Sequence, residues 1–137
     1  MFTKNLLKNG MNYVMSPDLG HVDKICKDVA DFLKDRKLEK YIFETGLVVR
    51  EAVCNGIVHG CKNDRNSTVS FRFEQAGNWL VLTVDDGGPG WDWKKHSGDL
   101  PENAKDSGRG LYIMKHYADE VKYNDKGNRL VIKKRIA

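Results

Sequence analysis

The sequence of 137 residues has no long hydrophobic run and only three prolines. No apolar stretch reaches the roughly 20 residues that a transmembrane helix needs. The first residues, MFTKNLLKNG, lack the apolar segment and the cleavage site of a secretory signal. No Pro-rich linker divides the chain. We therefore expect one cytoplasmic domain, residues 1–137, that has no membrane partner.

Disulfide and metal-binding patterns are also missing. The three cysteines, Cys26, Cys54 and Cys61, form no C-x-x-C pair, which favours reduced thiols over a zinc site or a disulfide. The four histidines show no ligand spacing such as H-E-x-x-H. The net charge of +4 is mild and does not by itself indicate DNA binding. We expect no direct DNA partner.

Two common nucleotide-binding signatures are absent as well. The chain contains no G-x-x-x-x-G-K-S/T segment, which excludes a P-loop, and no G-x-G-x-x-G that leads directly into a helix. A dinucleotide-binding fold is therefore not indicated.

The hydrophobic pattern predicts an α+β fold. A short strand is predicted from Met11 to Met15, and "SPD" then signals a helix start with Ser16 as N-cap and Pro17 at the first helical position. Helical spacing continues to about "DRKLEK", and a second helix is predicted from about Tyr41 to about His59.

The second half predicts strands, a long loop, a helix and a hairpin. Strands are predicted in "STVSFRFEQ" and "WLVLTVDD", and a loop from Gly87 to Ser107. Helical spacing resumes in "GRGLYIMKHYADEV" as far as Val121, and a hairpin closes the chain around Asp125 to Asn128. The order predicts a two-layer α/β sandwich, with a mixed, mostly antiparallel sheet and helices on one face.

The second helix carries a polar row within an apolar sequence, "EAVCNGIVHG". Glu51, Asn55 and His59 recur every fourth residue and span an arc of about 80°. An unpaired buried charge or amide is costly, so the row must face water, a partner or a ligand, unless the core satisfies it as a polar network. The row alone does not decide among these alternatives.

Two glycine-rich stretches follow. "DDGGPGWD" places Asp86, Gly88 and Gly90 at the end of a buried strand, where a carboxylate can accept a hydrogen bond from an amine and glycines let a flat ligand approach the backbone. It is also compatible with an ordinary tight turn. "SGRGL" places Gly108, Arg109, Gly110 and Leu111 at a helix start, a natural phosphate seat or simply a helix N-terminus.

The three stretches together, in this order, resemble the N, G1 and G2 boxes of the Bergerat-fold (GHKL) ATP-binding superfamily, which includes gyrase and histidine kinases. They most closely resemble the small anti-sigma-factor serine/threonine kinases of bacterial partner switching. The resemblance extends from about Met11 to Lys134.

This resemblance implies a set of functional residues. Asn55 would bind a Mg²⁺ ion that bridges the ATP phosphates, and Glu51 would be the general base. Asp86 would accept a hydrogen bond from the adenine amine, with Gly88 and Gly90 lining the pocket. The phosphates would lie against the segment from Gly108 to Leu111, beneath a lid from Trp91 to Ser107.

The resemblance also implies partners and an activity. A kinase of this family phosphorylates a STAS-type anti-anti-sigma protein and otherwise sequesters a sigma factor, and it forms a homodimer. The short first strand, with an edge expected to be free, also favours a homodimer. The alternative is a non-catalytic module in which bound ATP shapes a surface for a protein partner.

Three departures from the family pattern concern details. Gly127-Asn128 stands where a Gly-Thr pair is usual, with the threonine near the adenine. The first helix offers His21, Lys24 and Lys27 where an arginine commonly faces the partner, and Cys61 stands where an aromatic residue is common.

Overall fold

The computed structural model describes residues 1–61, 66–88 and 113–136. Within these ranges, six strands form one sheet in the order β1-β2-β3-β4-β6-β5, and neighbouring strands are antiparallel. The strands are β1 (Phe2–Leu7), β2 (Gly10–Met15), β3 (Val69–Ala76), β4 (Trp79–Asp86), β5 (Glu120–Tyr123) and β6 (Arg129–Arg135).

Two helices pack on the sheet. They are α1 (Val22–Asp35) and α2 (Ile42–Asn55), each preceded by a 3-10 turn, Leu19–His21 and Glu39–Tyr41. α2 continues into a π-helical turn, Gly56–Gly60, and residues 113–117 are helical. No helix in the described ranges is long and apolar enough to cross a membrane.

The core lies between the helices and one face of the sheet. Phe32 of α1 meets Phe73 of β3 edge-on with ring centroids 5.5 Å apart. The sheet contributes alternate residues of its strands, as period-two alternation requires; those that are fully or nearly fully buried are Met11, Tyr13, Met15, Val69, Phe71, Phe73, Leu80, Leu82, Val84, Leu130 and Ile132. The predicted α+β sandwich with helices on one face is confirmed.

The prediction for the first strand was incomplete and, in one respect, wrong. Residues Met11 to Met15 do form a strand, but β2 lies inside the sheet, because it pairs with β1 on one side and with β3 on the other. The end strand is β1, "FTKNLL", whose residues are mostly exposed. The free edge that we predicted for the strand from Met11 to Met15 therefore belongs to β1.

Two helix boundaries also differ from the prediction. Asp18, and not Ser16, caps the turn before α1, since its Oδ1 accepts the backbone N–H of Gly20 at 2.8 Å. The third helix ends at Tyr117, and Val121 lies in β5, where it is opposite Ile132 of β6. The closing hairpin is confirmed.

A buried carboxylate ties β1 and β2 to α1. Asp28, 8% exposed, accepts hydrogen bonds from Tyr13 Oη at 2.6 Å, Lys4 Nζ at 3.1 Å and Lys24 Nζ at 3.0 Å. Burial, together with the hydrogen bond to Asp28, raises the pKa of Tyr13 above its usual range, so the phenol remains a donor. This cluster connects the end strand to the helical layer.

Candidate functional site

The polar row of α2 lies at the protein surface and not inside the core. Glu51 and Asn55 are half-buried and His59 is exposed, whereas Ala52 and Val53 are buried. This excludes a polar network enclosed in the core. A ligand or a partner therefore has access to the row.

The same i, i+4 row continues toward the start of α2 with apolar residues. Phe43 is 81% exposed and Leu47 is 41% exposed. Residues four apart are neighbours on a helix surface. An apolar surface therefore adjoins Glu51.

The end of α2 is packed against the end of β4. The π-helical turn is closed by the bond from the Cys61 N–H to the Gly56 carbonyl, 2.9 Å, and it carries Gly60 to the carboxylate of Asp86. A Cβ added at Gly60 would overlap that carboxylate, and one added at Gly88 would overlap the Gly60 carbonyl. Glycine is therefore required at both positions for this close approach.

Asp86 is a half-buried carboxylate at the end of β4. Its Oδ1 accepts the Gly88 backbone N–H at 2.9 Å, which holds the turn after β4. Burial raises the pKa of Asp86, and the neighbouring charge of Asp85 acts in the same direction, while the Gly88 hydrogen bond lowers it. A partly desolvated carboxylate gains from a donor that replaces lost water.

Asn128 completes this end of the sheet. Its backbone carbonyl accepts the Asp86 N–H at 3.0 Å, and its side-chain Nδ2 donates to the Gly88 carbonyl at 3.3 Å. The residue in place of the family's threonine therefore does lie beside Asp86 and Gly88.

The helical residues 113–117 are fastened to α2. Tyr117 Oη and Thr45 Oγ1 are 2.8 Å apart, and both residues are buried. Burial raises the pKa of Tyr117 to about 12, so this phenol stays protonated at neutral pH. The segment that follows "SGRGL" in the sequence thus packs on the helix that carries Glu51 and Asn55.

Several predicted site residues lie outside the described residues. These are Gly90, Gly108, Arg109, Gly110, Leu111 and the predicted lid from Trp91 to Ser107. Among the described residues, the structure brings Asp86 and Gly88 to the end of the π-helical turn that follows Asn55. Glu51 precedes Asn55 by one turn.

Two residues of this site were missed from the sequence. Gly60 was not assigned a role, although its position just after the polar row is a signal for close backbone approach. Asn124 was not noticed either, although an asparagine that opens a "NDKGN" turn is a recognised turn former.

The three cysteines are poor candidates for a nucleophile at this site. None of them is in a disulfide; Cys61 is buried, and Cys26 and Cys54 are half-buried. Burial raises the pKa of Cys26 and of Cys54, which disfavours the reactive thiolate.

With the fold and this geometry in place, the class is clear: an α+β domain of the histidine-kinase-like type. Residues 15–134 match the family described as "Histidine kinase-like ATPase domain", and the chain belongs to this family.

Two named relatives support this class. The chain is 38% identical over 102 residues to an anti-sigma F factor of Geobacillus kaustophilus (strain HTA426), covering 69% of each chain. It is 34% identical over 84 residues to the serine-protein kinase RsbW of Bacillus subtilis (strain 168), covering 56% of this chain and 52% of the relative. The matched region thus spans about half of the kinase and about two thirds of the anti-sigma F factor.

Proposed function

We propose that this chain is an ATP-binding anti-sigma factor that acts as a protein serine kinase on a STAS-type anti-anti-sigma protein. The observation that carries this proposal is the polar row of α2 at the protein surface, followed by the glycine turn packed against Asp86 and Gly88. The names of the relatives support this proposal, since one is a serine-protein kinase and the other an anti-sigma F factor. A sigma-factor partner would imply a cytoplasmic location, which we also propose.

The described residues fit a nucleotide with its metal ion. Gly60 and Gly88 let the turn after α2 pack closely against the end of β4, and Asp86 offers an acceptor for the amine of a base. Asn55 offers an amide oxygen, a ligand type that Mg²⁺ accepts. Gly90 and the segment from Gly108 to Leu111 complete the proposed pocket and the phosphate seat.

Bound ATP supplies the phosphoryl group, and the side chains of this chain position it. Asn55 would hold Mg²⁺, and that ion would supply neutralisation of the phosphate charge. Glu51, one turn earlier on the same face, takes the proton from the attacking serine hydroxyl of the partner. Asp86 fixes the base at the other end of the site.

A calorimetric experiment tests the nucleotide site. Wild-type protein should bind ATP in the presence of Mg²⁺, and Asn55→Ala should lose the Mg²⁺-dependent part of that binding. Asn78→Ala, the same substitution at an exposed position of the β3–β4 turn, is the matched control. Wild-type affinity in Asn55→Ala would remove Asn55 as the metal ligand, and no binding by the wild type would overturn the proposal.

A non-catalytic binding module is the second candidate, and the exposed apolar residues of α2 favour it. Phe43 and Leu47 form a contact surface for a protein partner whether or not phosphate is transferred. Under this account, Phe43→Ser should weaken ATP-dependent capture of the partner, while ATP binding stays unchanged. The wild type should transfer phosphate to the partner if the chain is a kinase, and should not if it is a non-catalytic module.

We also propose a homodimer. The family resemblance implies one, and the exposed end strand β1 offers an edge for pairing with a second copy.

A further inference from the structure

Tyr117 joins the helical residues 113–117 to two other elements of the fold. Its side chain is buried, and its Oη lies 2.8 Å from Oγ1 of Thr45 in α2. The ammonium group of Lys134, in β6, lies over the Tyr117 ring, with Nζ 5.6 Å from the ring centroid. Tyr117 therefore connects residues 113–117 both to the helical layer and to the sheet.

The contact between Tyr117 and Thr45 is a hydrogen bond between two buried hydroxyl groups. The two residues are 72 positions apart in the sequence, so the bond fixes two distant segments relative to each other. A hydrogen bond sets both a distance and a direction, which apolar packing does not. The bond therefore constrains where residues 113–117 lie on α2 more tightly than their burial alone.

The chain that follows Tyr117 is fixed on β6. The Asp119 N–H donates to the Lys133 carbonyl at 2.9 Å, and Asp119 Oδ2 accepts the Arg135 backbone N–H at 2.7 Å. Met114, one turn before Tyr117, is fully buried. Contacts to the sheet thus hold the end of residues 113–117, and the bond to Thr45 sets their position against α2.

Thr45 lies in the helix that carries the proposed phosphotransfer residues. Thr45, Glu51 and Asn55 all belong to α2. Residues 113–117 follow "SGRGLY" in the sequence, the stretch to which we assign the phosphates of ATP. The metal ligand and the phosphates must keep a fixed separation for transfer, since small misplacements of reacting groups are costly.

We propose that Tyr117 is a positioning residue for phosphate transfer, and that its bond to Thr45 holds residues 113–117 in place against the helix that carries Glu51 and Asn55. Tyr117 acts through the position of these elements, so it is not a catalytic residue. This inference rests on the proposed nucleotide binding.

The test is a double variant, Thr45→Val with Tyr117→Phe, which replaces both hydroxyls by apolar groups of similar shape. Replacing both partners of a buried hydrogen bond in this way is nearly neutral for stability, so the midpoint of urea unfolding should stay close to that of the wild type. The dissociation constant of ATP, measured by calorimetry with Mg²⁺, should rise about three- to tenfold, because the bond no longer fixes the site. A purely structural bond would leave this constant unchanged.

Two controls separate positioning from stability. Tyr13→Phe removes another buried phenol hydroxyl, the one bonded to Asp28, and should lower the unfolding midpoint while the dissociation constant of ATP stays at the wild-type value. Thr45→Ser keeps a hydroxyl for Tyr117 and should bind ATP as the wild type does. A rise in the dissociation constant for Tyr13→Phe as large as that for the double variant would overturn the inference.

Tyr117→Phe alone gives the same test if the double variant does not fold. The Thr45 hydroxyl can then turn to a backbone carbonyl of its own helix, so this single change is well tolerated. A dissociation constant of ATP within about twofold of the wild type, in the folded double variant or in Tyr117→Phe, would overturn this inference alone. A wild type that does not bind ATP would overturn the proposed function and this inference with it.

Discussion

At the scale of single residues, Asp86 combines a cost to stability with a gain in binding. Its desolvated carboxylate is disfavoured in the folded protein without ligand, which is what the raised pKa means. The same carboxylate is the proposed acceptor for the base amine. Polar groups at functional sites are often retained at the expense of stability.

Replacing Asp86 by Asn should separate these two effects. Asparagine keeps an oxygen for the Gly88 N–H but carries no charge, so we expect ATP affinity to fall about ten- to hundredfold, from a loss of about 1.5–3 kcal/mol. Asp85→Asn, one residue earlier on the opposite face of the sheet, is the control for affinity. Calorimetry that gives the same dissociation constant for wild type and Asp86→Asn would refute the role of Asp86.

The pH dependence of stability gives an independent check on Asp86. A carboxyl whose folded-state pKa is raised binds protons more readily when folded, so its contribution to stability is present at low pH and is lost as the pH rises through that pKa. At neutral pH, ligand-free Asp86→Asn should therefore be at least as stable as wild type in urea unfolding. A clearly lower midpoint would show that the charge stabilises the folded turn.

At the scale of elements, the Asp28 cluster joins β1 and β2 to α1. Asp28→Ala would leave the buried Tyr13 hydroxyl without its carboxylate and would break the contacts to Lys4 and Lys24. We expect the free energy of unfolding to fall by about 2–3 kcal/mol. Asp31→Ala, at an exposed position of α1, should change it by less than about 0.5 kcal/mol. Equal effects of the two substitutions in urea titration would contradict this assignment.

The same cluster should appear in acid unfolding. Burial acts to raise the pKa of Asp28, but hydrogen bonds from Tyr13, Lys24 and Lys4 outweigh it and hold the pKa below its ordinary value of 3.8. A lowered folded-state pKa gives stability that is present above the ordinary value and is lost as the pH falls below it. Stability of the wild type should therefore decline more steeply below about pH 4 than that of Asp28→Asn. Parallel curves would exclude Asp28 as the source.

The elements show what sequence patterns can and cannot predict. β4 was predicted from Trp79 to Asp86 and has those bounds, because its alternation and its turn residues are local signals. β1 was missed because "FTKNLL" buries little and has no alternation, so only its pairing with β2 makes it a strand. Val121 fitted a helical period, but cross-strand pairing with Ile132 decides its structure.

The candidate site also has parts that were predictable from the sequence and parts that were not. The polar row and Asp86 were predictable because spacing and residue type carry the signal. The hydrogen bond from Asn128 to the Gly88 carbonyl was not, because the two residues are forty positions apart in the chain. Contacts between distant segments leave no local pattern.

At the scale of the whole molecule, the end strand β1 gives the homodimer proposal a test. Leu6 is 80% exposed on this strand, and a charge at a sheet edge opposes pairing with another copy. Sedimentation equilibrium should show a dimer for the wild type and a weaker one for Leu6→Lys. Leu47→Lys, on α2, is the control and should dimerise normally. A wild type that remains monomeric at high concentration, with and without ATP, would refute the dimer.

The central claim is that Glu51 and Asn55, on the polar row of α2, form a phosphotransfer site. The most direct measurement is transfer of labelled phosphate from ATP to purified STAS-domain proteins from the same genome. Glu51→Gln should bind ATP within about threefold of wild type yet transfer phosphate about 10²–10⁴-fold more slowly, since general-base assistance is typically of that size. Glu44→Gln, at an exposed position of the same helix, should transfer at the wild-type rate. If Glu51→Gln transfers phosphate at the wild-type rate, the proposed role of Glu51 is wrong. If the wild type binds a STAS protein only in the presence of ATP but phosphorylates none, the kinase proposal is wrong.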